Sequence, residues 1–315
     1  MTERSARTST PSGDVPVEIV RSAHRPAYIR QRNRIGFIFF VPVLLHLSVF
    51  LLAPVVTAVI YSFARYEVLT PARFVGFSNF RYLWNNPSFW NSLEVTGRYV
   101  LLRVSFLMVF AFIMAFITSA NFTGRGFFQT TYFLPYVFPL PVTAILWTMF
   151  YRPRGLLEQV LAPLGVPLIP WLSSSDTALI GITIATVWSA AGYYSVLILA
   201  GLQTISTDQI EAAMVDGASA LRRFVSVILP GLKPTMFYVI LVSVINTIRG
   251  FPPHMIMTGG GPGEATRVVG LYMYQLGFTR LRMGLASAVT VVFLAIVLLF
   301  AVVVRWLFEG REEER

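Results

Sequence analysis

Six apolar runs, each long enough to cross a bilayer, limit what this chain can fold into. They lie at residues 35–63, 96–120, 127–150, 177–202, 235–251 and 285–306. A crossing helix needs roughly 20 apolar residues. Inside hydrocarbon every backbone N–H and C=O must find its partner within the protein, which leaves helices or closed barrels. The expected fold is therefore an all-α polytopic membrane protein with six transmembrane helices. Composition agrees: 55% of the 315 residues are hydrophobic and only 13% are charged, unlike a soluble globule.

The formal net charge of +10 would raise nucleic acid as a partner in a soluble protein. Here the basic residues sit in the N-terminal tail and in short loops, so membrane topology explains them and no nucleic-acid partner is expected. Residues 1–34 are polar and lack an apolar period; they read as a disordered cytoplasmic tail. Arg21, Arg25, Arg30, Arg32 and Arg34 crowd the entrance to the first run and hold that end in the cytoplasm. Contact with anionic membrane lipid is a secondary use of the patch. Six crossings from 35 to 308 return the tail at 309–315 to the same side, so both termini are expected to be cytoplasmic.

Several chemistries are excluded. The chain has no cysteine, hence no disulfide, thiol nucleophile or cysteine metal site. No metal site of another kind is expected. Lys233 is the sole lysine and Pro234 follows it, so no phosphate-binding Gly-x-x-x-x-Gly-Lys-Ser/Thr loop exists. If ATP drives this protein, another subunit must bind it. No apolar run carries a pair of carboxylates, which argues against an intramembrane acid–base enzyme, and no catalytic residue is assigned.

The third run holds Pro135, Pro139 and Pro141 and cannot be a regular helix. His46 lies in the first run without a visible acidic partner; packing explains it better than direct function. Arg98 and Arg103 fall in the outer part of the second run, where they snorkel or face a wet cavity. Residues 64–93 are polar and aromatic and read as an outer segment at the interface. Thr258-Gly-Gly-Gly-Pro262-Gly263 reads as a flexible outer turn. Residues 268–283, amphipathic and aromatic, are placed at the outer face.

Polar residues inside spans are the solute candidates. Thr186, Ser189, Ala190 and Tyr193 recur at helical spacing on one face of the fourth run, with Trp188 beside them. Ser243, Asn246, Thr247 and Gly250 do the same on the fifth. A sugar needs hydroxyl-pairing groups and an aromatic plane, and these stripes offer both. Small polar residues also glue helices together, and spacing alone favours that plainer role.

The most polar island of the second half runs from about 206 to 231. Its opening, Asp208 to Asp216, is helical in pattern, with Ile210, Ala213 and Met214 on one side and Asp208, Glu211 and Asp216 around the other. Gly217 interrupts it, and a second short helix carrying Arg222 and Arg223 is expected to stop at Pro230. By its residues alone it is either a docking hairpin or an ordinary connection.

Glu211-Ala212-Ala213, three residues, Gly217, then Leu229-Pro230 resembles the signature loop of ABC importer permeases. Phe74-Val-Gly-Phe-Ser-Asn-Phe80, Phe133 to Pro139, Pro170-Trp-Leu172, Gly201 to Ile205 and Met257 to Pro262 resemble carbohydrate-importer permeases of the maltose-F or glycerol-phosphate-A type. The resemblance covers roughly residue 35 to the end. It implies the type I importer fold and a hairpin that couples to a separate ATPase through Glu211, Ala212, Ala213, Asp216, Gly217, Arg222, Arg223 and Pro230. It implies a second permease of the G or E type, two ATPase subunits carrying ATP and Mg, and an extracytoplasmic solute-binding (lipo)protein. By position in that family, solute contacts fall on Trp188, Ser189, Tyr193, Ser243, Asn246, Thr247 and Gly250. Arg249 and His254 nearby favour either an anionic solute or an outward-facing interface. Two readings of other classes stand beside the importer: an ATP-independent channel or secondary carrier, and a membrane enzyme acting on lipid-linked sugars.

Overall fold

The computed structural model describes Phe37 and residues 39–309, with side chains to Val302. By internal contacts the chain divides between Val56 and Thr57. Phe37 apart, what is described of the first unit belongs to α1 (Phe39–Ser62), whose most apolar stretch is entirely unburied. The tail at 1–34 and the end from 310 lie outside the described residues.

In the second unit a short hairpin, β1 (Ala64–Arg65) against β2 (Arg73–Phe74), leads to α2 (Ser78–Trp84). The next helix, α3 (Pro87–Ser119), begins nine residues earlier than apolarity alone indicated. Asn86 caps it by accepting the Ser88 N–H at 3.0 Å, and Pro87 supplies a pre-set first turn. Capping chemistry, not hydropathy, fixes that boundary.

The proline-rich run breaks as expected. Helices α4 (Arg125–Val137) and α5 (Leu140–Phe150) meet at 99°. Phe138 precedes Pro139, which disfavours the helical region there, and is extended at ψ 136°. Pro141 then starts the new helix, in the first turn where its missing N–H costs nothing. After α6 (Leu156–Leu161), Ser174 caps α7 (Ser175–Gln203).

Helix α7 is the centre of the bundle: 72% of its most apolar stretch is buried, against 22% or less in the other long helices. Helices α3, α4, α5 and α9 pack on it. Tyr99 of α3, Trp147 of α5 and Ile182 and Ala185 of α7 share one core. Leu107 and Ala111 of α3, Ala190, Ala191 and Ile198 of α7 and Val239 of α9 share another. Gly192 lets α4 cross α7 closely: a Cβ there would fall on the Tyr132 carbonyl oxygen and within 2.7 Å of the Phe133 Cα.

A short helix α8 (Thr207–Val215) precedes α9 (Ala220–Arg249). Pro230 does not stop a helix, contrary to the sequence expectation. It lies inside α9, immediately after a π turn at Phe224–Ile228. A proline ring clashes with the carbonyl four residues back, here Ser226, and the wider turn holding Ser226 accommodates it. The hairpin's second arm is thus the start of a membrane span.

Beyond Gly250 come α10 (Pro252–Thr258), α11 (Val269–Tyr274) with a π turn at Gln275–Thr279, and α12 (Met283–Glu309). The aromatic segment around α11 is packed: Val269, Tyr272 and Leu276 form a core with Leu83, Phe89, Ala288 and Val289.

Replacing Gly192 by alanine should lower the thermal unfolding temperature in detergent, by an overpacking cost of about 1–3 kcal/mol. Gly97→Ala is the control. Its Cβ meets nothing within 4 Å, and helix interiors favour alanine by about 1 kcal/mol, so that variant should melt no lower than the parent.

Candidate functional site

Two features outlast the demands of packing. One is the α8–α9 hairpin. Helix α8 ends in a Schellman motif: Ala218 N–H donates to Ala213 O and Gly217 N–H to Met214 O, both at 3.0 Å. Gly217 takes the left-handed conformation this requires, at φ +75°. The Ser219 hydroxyl then accepts the Arg222 N–H and starts α9. The turn is thus specified residue by residue. Glu211, Ala212, Asp216, Gly217, Arg222 and Pro230 are all exposed, while Ala213 and Arg223 are partly covered. Apolar side chains stand out among them: Val215 is 88% and Leu221 73% exposed. A loop that only joined two spans would gain nothing from a capped, apolar-tipped projection.

The other feature is a set of polar side chains between α3, α7 and α9. Arg103 is buried and donates an Nη1–H to the Thr247 hydroxyl at 2.6 Å. Thr247 passes its own proton to the Ser243 carbonyl, also at 2.6 Å. Asn246 donates to the Tyr194 hydroxyl at 3.1 Å, and the Tyr99 hydroxyl meets Thr186 Oγ1 at 3.1 Å. Tyr193 stacks on Tyr136 of α4 with ring centroids 4.5 Å apart and lies edge-on to Tyr194 at 5.1 Å. Buried Tyr99 and His254 meet edge to face at 4.4 Å.

The seven predicted solute residues therefore divide. Asn246, Thr247 and Tyr193 belong to this polar set, and Ser243 supports it from below through its carbonyl. Gly250 ends α9 nearby in the chain. Ser189 is buried. Trp188 lines a different space, an apolar groove of about 770 Å³ shared with Phe106, Phe110, Tyr132, Trp147 and Ile184. It has too few polar groups to orient a sugar. Thr186 is used up in holding α7 to α3, the glue role that spacing favoured. Sequence reasoning missed Tyr136 and Tyr194, whose partners are distant in the chain. It paired Arg98 with Arg103, yet Arg98 is exposed and bonded to Glu94, one turn back.

His46 lies 4.8 Å from the Phe50 ring within α1, while Arg249 is exposed. His254 is completely buried, so it forms no outward interface. Its Nδ1–H donates to the Thr266 carbonyl at 3.0 Å. Thr258 and Thr266 hydroxyls meet at 2.6 Å, and Thr266 bonds Gly261 O at 2.9 Å. The Val269 N–H bonds Thr96 of α3 at 2.9 Å, and Glu264 accepts from Ser88 at 3.1 Å. The glycine-rich segment read as a flexible turn is thus a hydrogen-bonded plug on the end of α3; its glycines supply positive φ at 259, 260 and 263.

Crossing helices around a central one, a broken span, a buried polar set between spans and a capped projection at one end define the membrane component of a transporter. The chain belongs to the family of binding-protein-dependent transport system inner membrane components, whose profile matches residues 107–311. It is thus a multi-pass membrane subunit of a transport system, and not an enzyme. It is 33% identical to the trehalose/maltose transport system permease protein MalF of Thermococcus litoralis, over 86% of this chain and 92% of the relative. It is 32% identical to the sn-glycerol-3-phosphate permease UgpA of Agrobacterium fabrum, over 72% of this chain and 78% of that protein. The crystal structure of a bacterial importer of the acidic polysaccharide alginate matches with a TM-score of 0.80 at 20% identity, over 92% of this chain and all of that one. The fold is that of the type I ABC importer permeases.

Burial holds the His254 imidazole neutral, its pKa pushed down to about 3 from 6.5; the bond to Thr266 opposes that shift and the charge of Arg103 adds to it. Above pH 6.5 both folded and unfolded rings are neutral. Between 6.5 and about 3 only the unfolded chain takes up the proton, so stability falls as pH drops through that window. Unfolding temperature in detergent, read from pH 7 to pH 4.5, should decline for this reason, and less steeply in His254→Asn.

Proposed function

We propose that this chain is one of two different permease subunits of an ATP-driven importer for a sugar or sugar derivative in the cytoplasmic membrane. The other permease is of the G or E type. Two ATPase subunits bind the ATP and Mg, and an extracytoplasmic binding protein delivers the solute. The observation that carries this is the α8–α9 hairpin: an exposed, tightly capped projection whose second arm continues without a break into a span. Glu211, Ala212, Ala213, Asp216, Gly217, Arg222 and Arg223 present that projection to the ATPase, and Pro230 sits where the arm enters the span. Both chain termini lie on the hairpin side, in the cytoplasm. The sugar class is supported by the trehalose/maltose relative.

In this mechanism closure of the ATPases moves the hairpin as a lever. The helices packed on α7 then rock between inward- and outward-open arrangements around a fixed site. Tyr193, Asn246 and Thr247 face the solute, Ser243 backs Thr247 through its carbonyl, and Gly250 ends the helix beside them; buried Ser189 and the apolar groove at Trp188 stay outside the polar set. The broken span α4–α5 lines the same region through Tyr136.

Reversing the charge in Glu211→Lys, or placing valine at Gly217, should leave the chain folded and assembled in membranes. ATP-dependent uptake should drop at least about tenfold, the size of a lost 1.4 kcal/mol contact. Parental uptake rates in either variant would remove the coupling role. Uptake by this chain alone, purified into liposomes without companions, would favour a channel or secondary carrier instead.

A further inference from the structure

Coupling the hairpin to the spans does not require a cation at Arg103. The residue lies inside the long apolar helix α3, between Leu102 and Val104, and is 8% exposed. Its guanidinium makes one hydrogen bond among the described residues, to the neutral hydroxyl of Thr247. No carboxylate meets it: the ion pairs among the described residues are Arg98–Glu94 and Arg267–Glu264. Arg267 shows how this fold treats a buried cation it merely has to tolerate. That charge is matched by Glu264 and lies over the Tyr272 ring at 5.2 Å. Arg103 has neither provision. A buried guanidinium left without a compensating anion is strongly destabilising.

The neighbours of Arg103 are donors as well. The Tyr194 hydroxyl accepts from Asn246, which leaves its own O–H to give. Asn246 keeps a second N–H and is exposed, marking the open side of the set. Four guanidinium N–H groups remain after the bond to Thr247. His254, beside Arg103 and neutral, adds no competing charge. A cluster rich in donors and without an acid is complementary to an oxyanion. The stacked Tyr136–Tyr193 pair next to it offers a flat face for sugar C–H groups.

We propose that Arg103, with Tyr194 and Asn246, binds the acidic group of an anionic sugar, a carboxylate or a phosphate, on its way through this subunit. The proposal rests on the importer reading and narrows its solute class.

The test uses the whole importer in proteoliposomes: this chain, its partner permease, the ATPases, and the binding protein outside. The vesicles are offered an equimolar mixture of digalacturonate, glucose 6-phosphate, galactobiose and glucose together with an acid and neutral oligosaccharide hydrolysate. Mass spectrometry then reads what ATP has accumulated inside. Anionic members should exceed their neutral counterparts at least about tenfold. Arg103→Gln should cut that ratio by at least about tenfold per assembled complex, and Arg103→Lys should keep most of it. Uronates alone inside identify a carboxylate solute, and sugar phosphates alone a phosphate. Accumulation of neutral sugars, or an anion preference untouched by Arg103→Gln, overturns the proposal while the importer reading stands. A ratio near one in the parent also overturns it. If the variants do not assemble, the parent's selectivity decides. No ATP-dependent accumulation of any member sinks the importer reading and this proposal with it.

Discussion

Close approach of neighbouring helices onto α7 is the constraint on which this structure depends. Between membrane helices the lipid competes for apolar contact, so association relies on small residues and satisfied polar groups. Helix α7 is built for that. Gly181, Ala185, Gly192 and Gly201 bring backbones and side chains of other elements to its surface. Thr183 and Thr186 return their hydroxyl protons to their own helix, and Thr186 also receives the Tyr99 proton from α3. Once α7 is surrounded, the polar set between α3, α7 and α9 is enclosed as a by-product of the packing, and its chemistry is set by which side chains reach it.

The run lengths made the helical membrane fold legible, because a bilayer imposes one length scale on every crossing. The breaks were legible where prolines cluster: Phe138 is pushed from the helical region by Pro139, and Pro141 restarts the helix. Pro230 was misread for a related reason. A proline forbids an ordinary α turn but not a π turn, and periodicity alone does not announce the extra residue that makes one. The start of α3 was hidden by hydropathy, since its first turns are polar and their signal is the Asn86-Pro87 cap. The glycine run after Thr258 looked loose because glycine allows many conformations. Thr258, Thr266 and His254 select one of them through bonds that no local pattern reveals.

The hairpin was the part of the candidate site most readable in advance. Its geometry is local: nearly every bond that shapes it joins residues within five positions of each other. The polar set is the opposite case. Arg103 and Thr247 are 144 positions apart, and Asn246 and Tyr194 are 52 apart. Spacing on one helix assigned Thr186 and Tyr193 to a common face, yet different neighbours claimed them, α3 for one and α4 for the other. A helical stripe says which residues can act together, and only the packing partners say whether they do.

The tip formed by Val215 and Leu221 also bears on how such a chain is supplied. Spans are at ease in lipid, but greasy side chains on a projection beyond them stand in water and cling to any apolar surface they meet. A copy synthesised ahead of whatever caps that tip is a liability for chaperones and proteases to remove. With the proposed ATPase as the cover, matched production of the two would spare the cell that hazard.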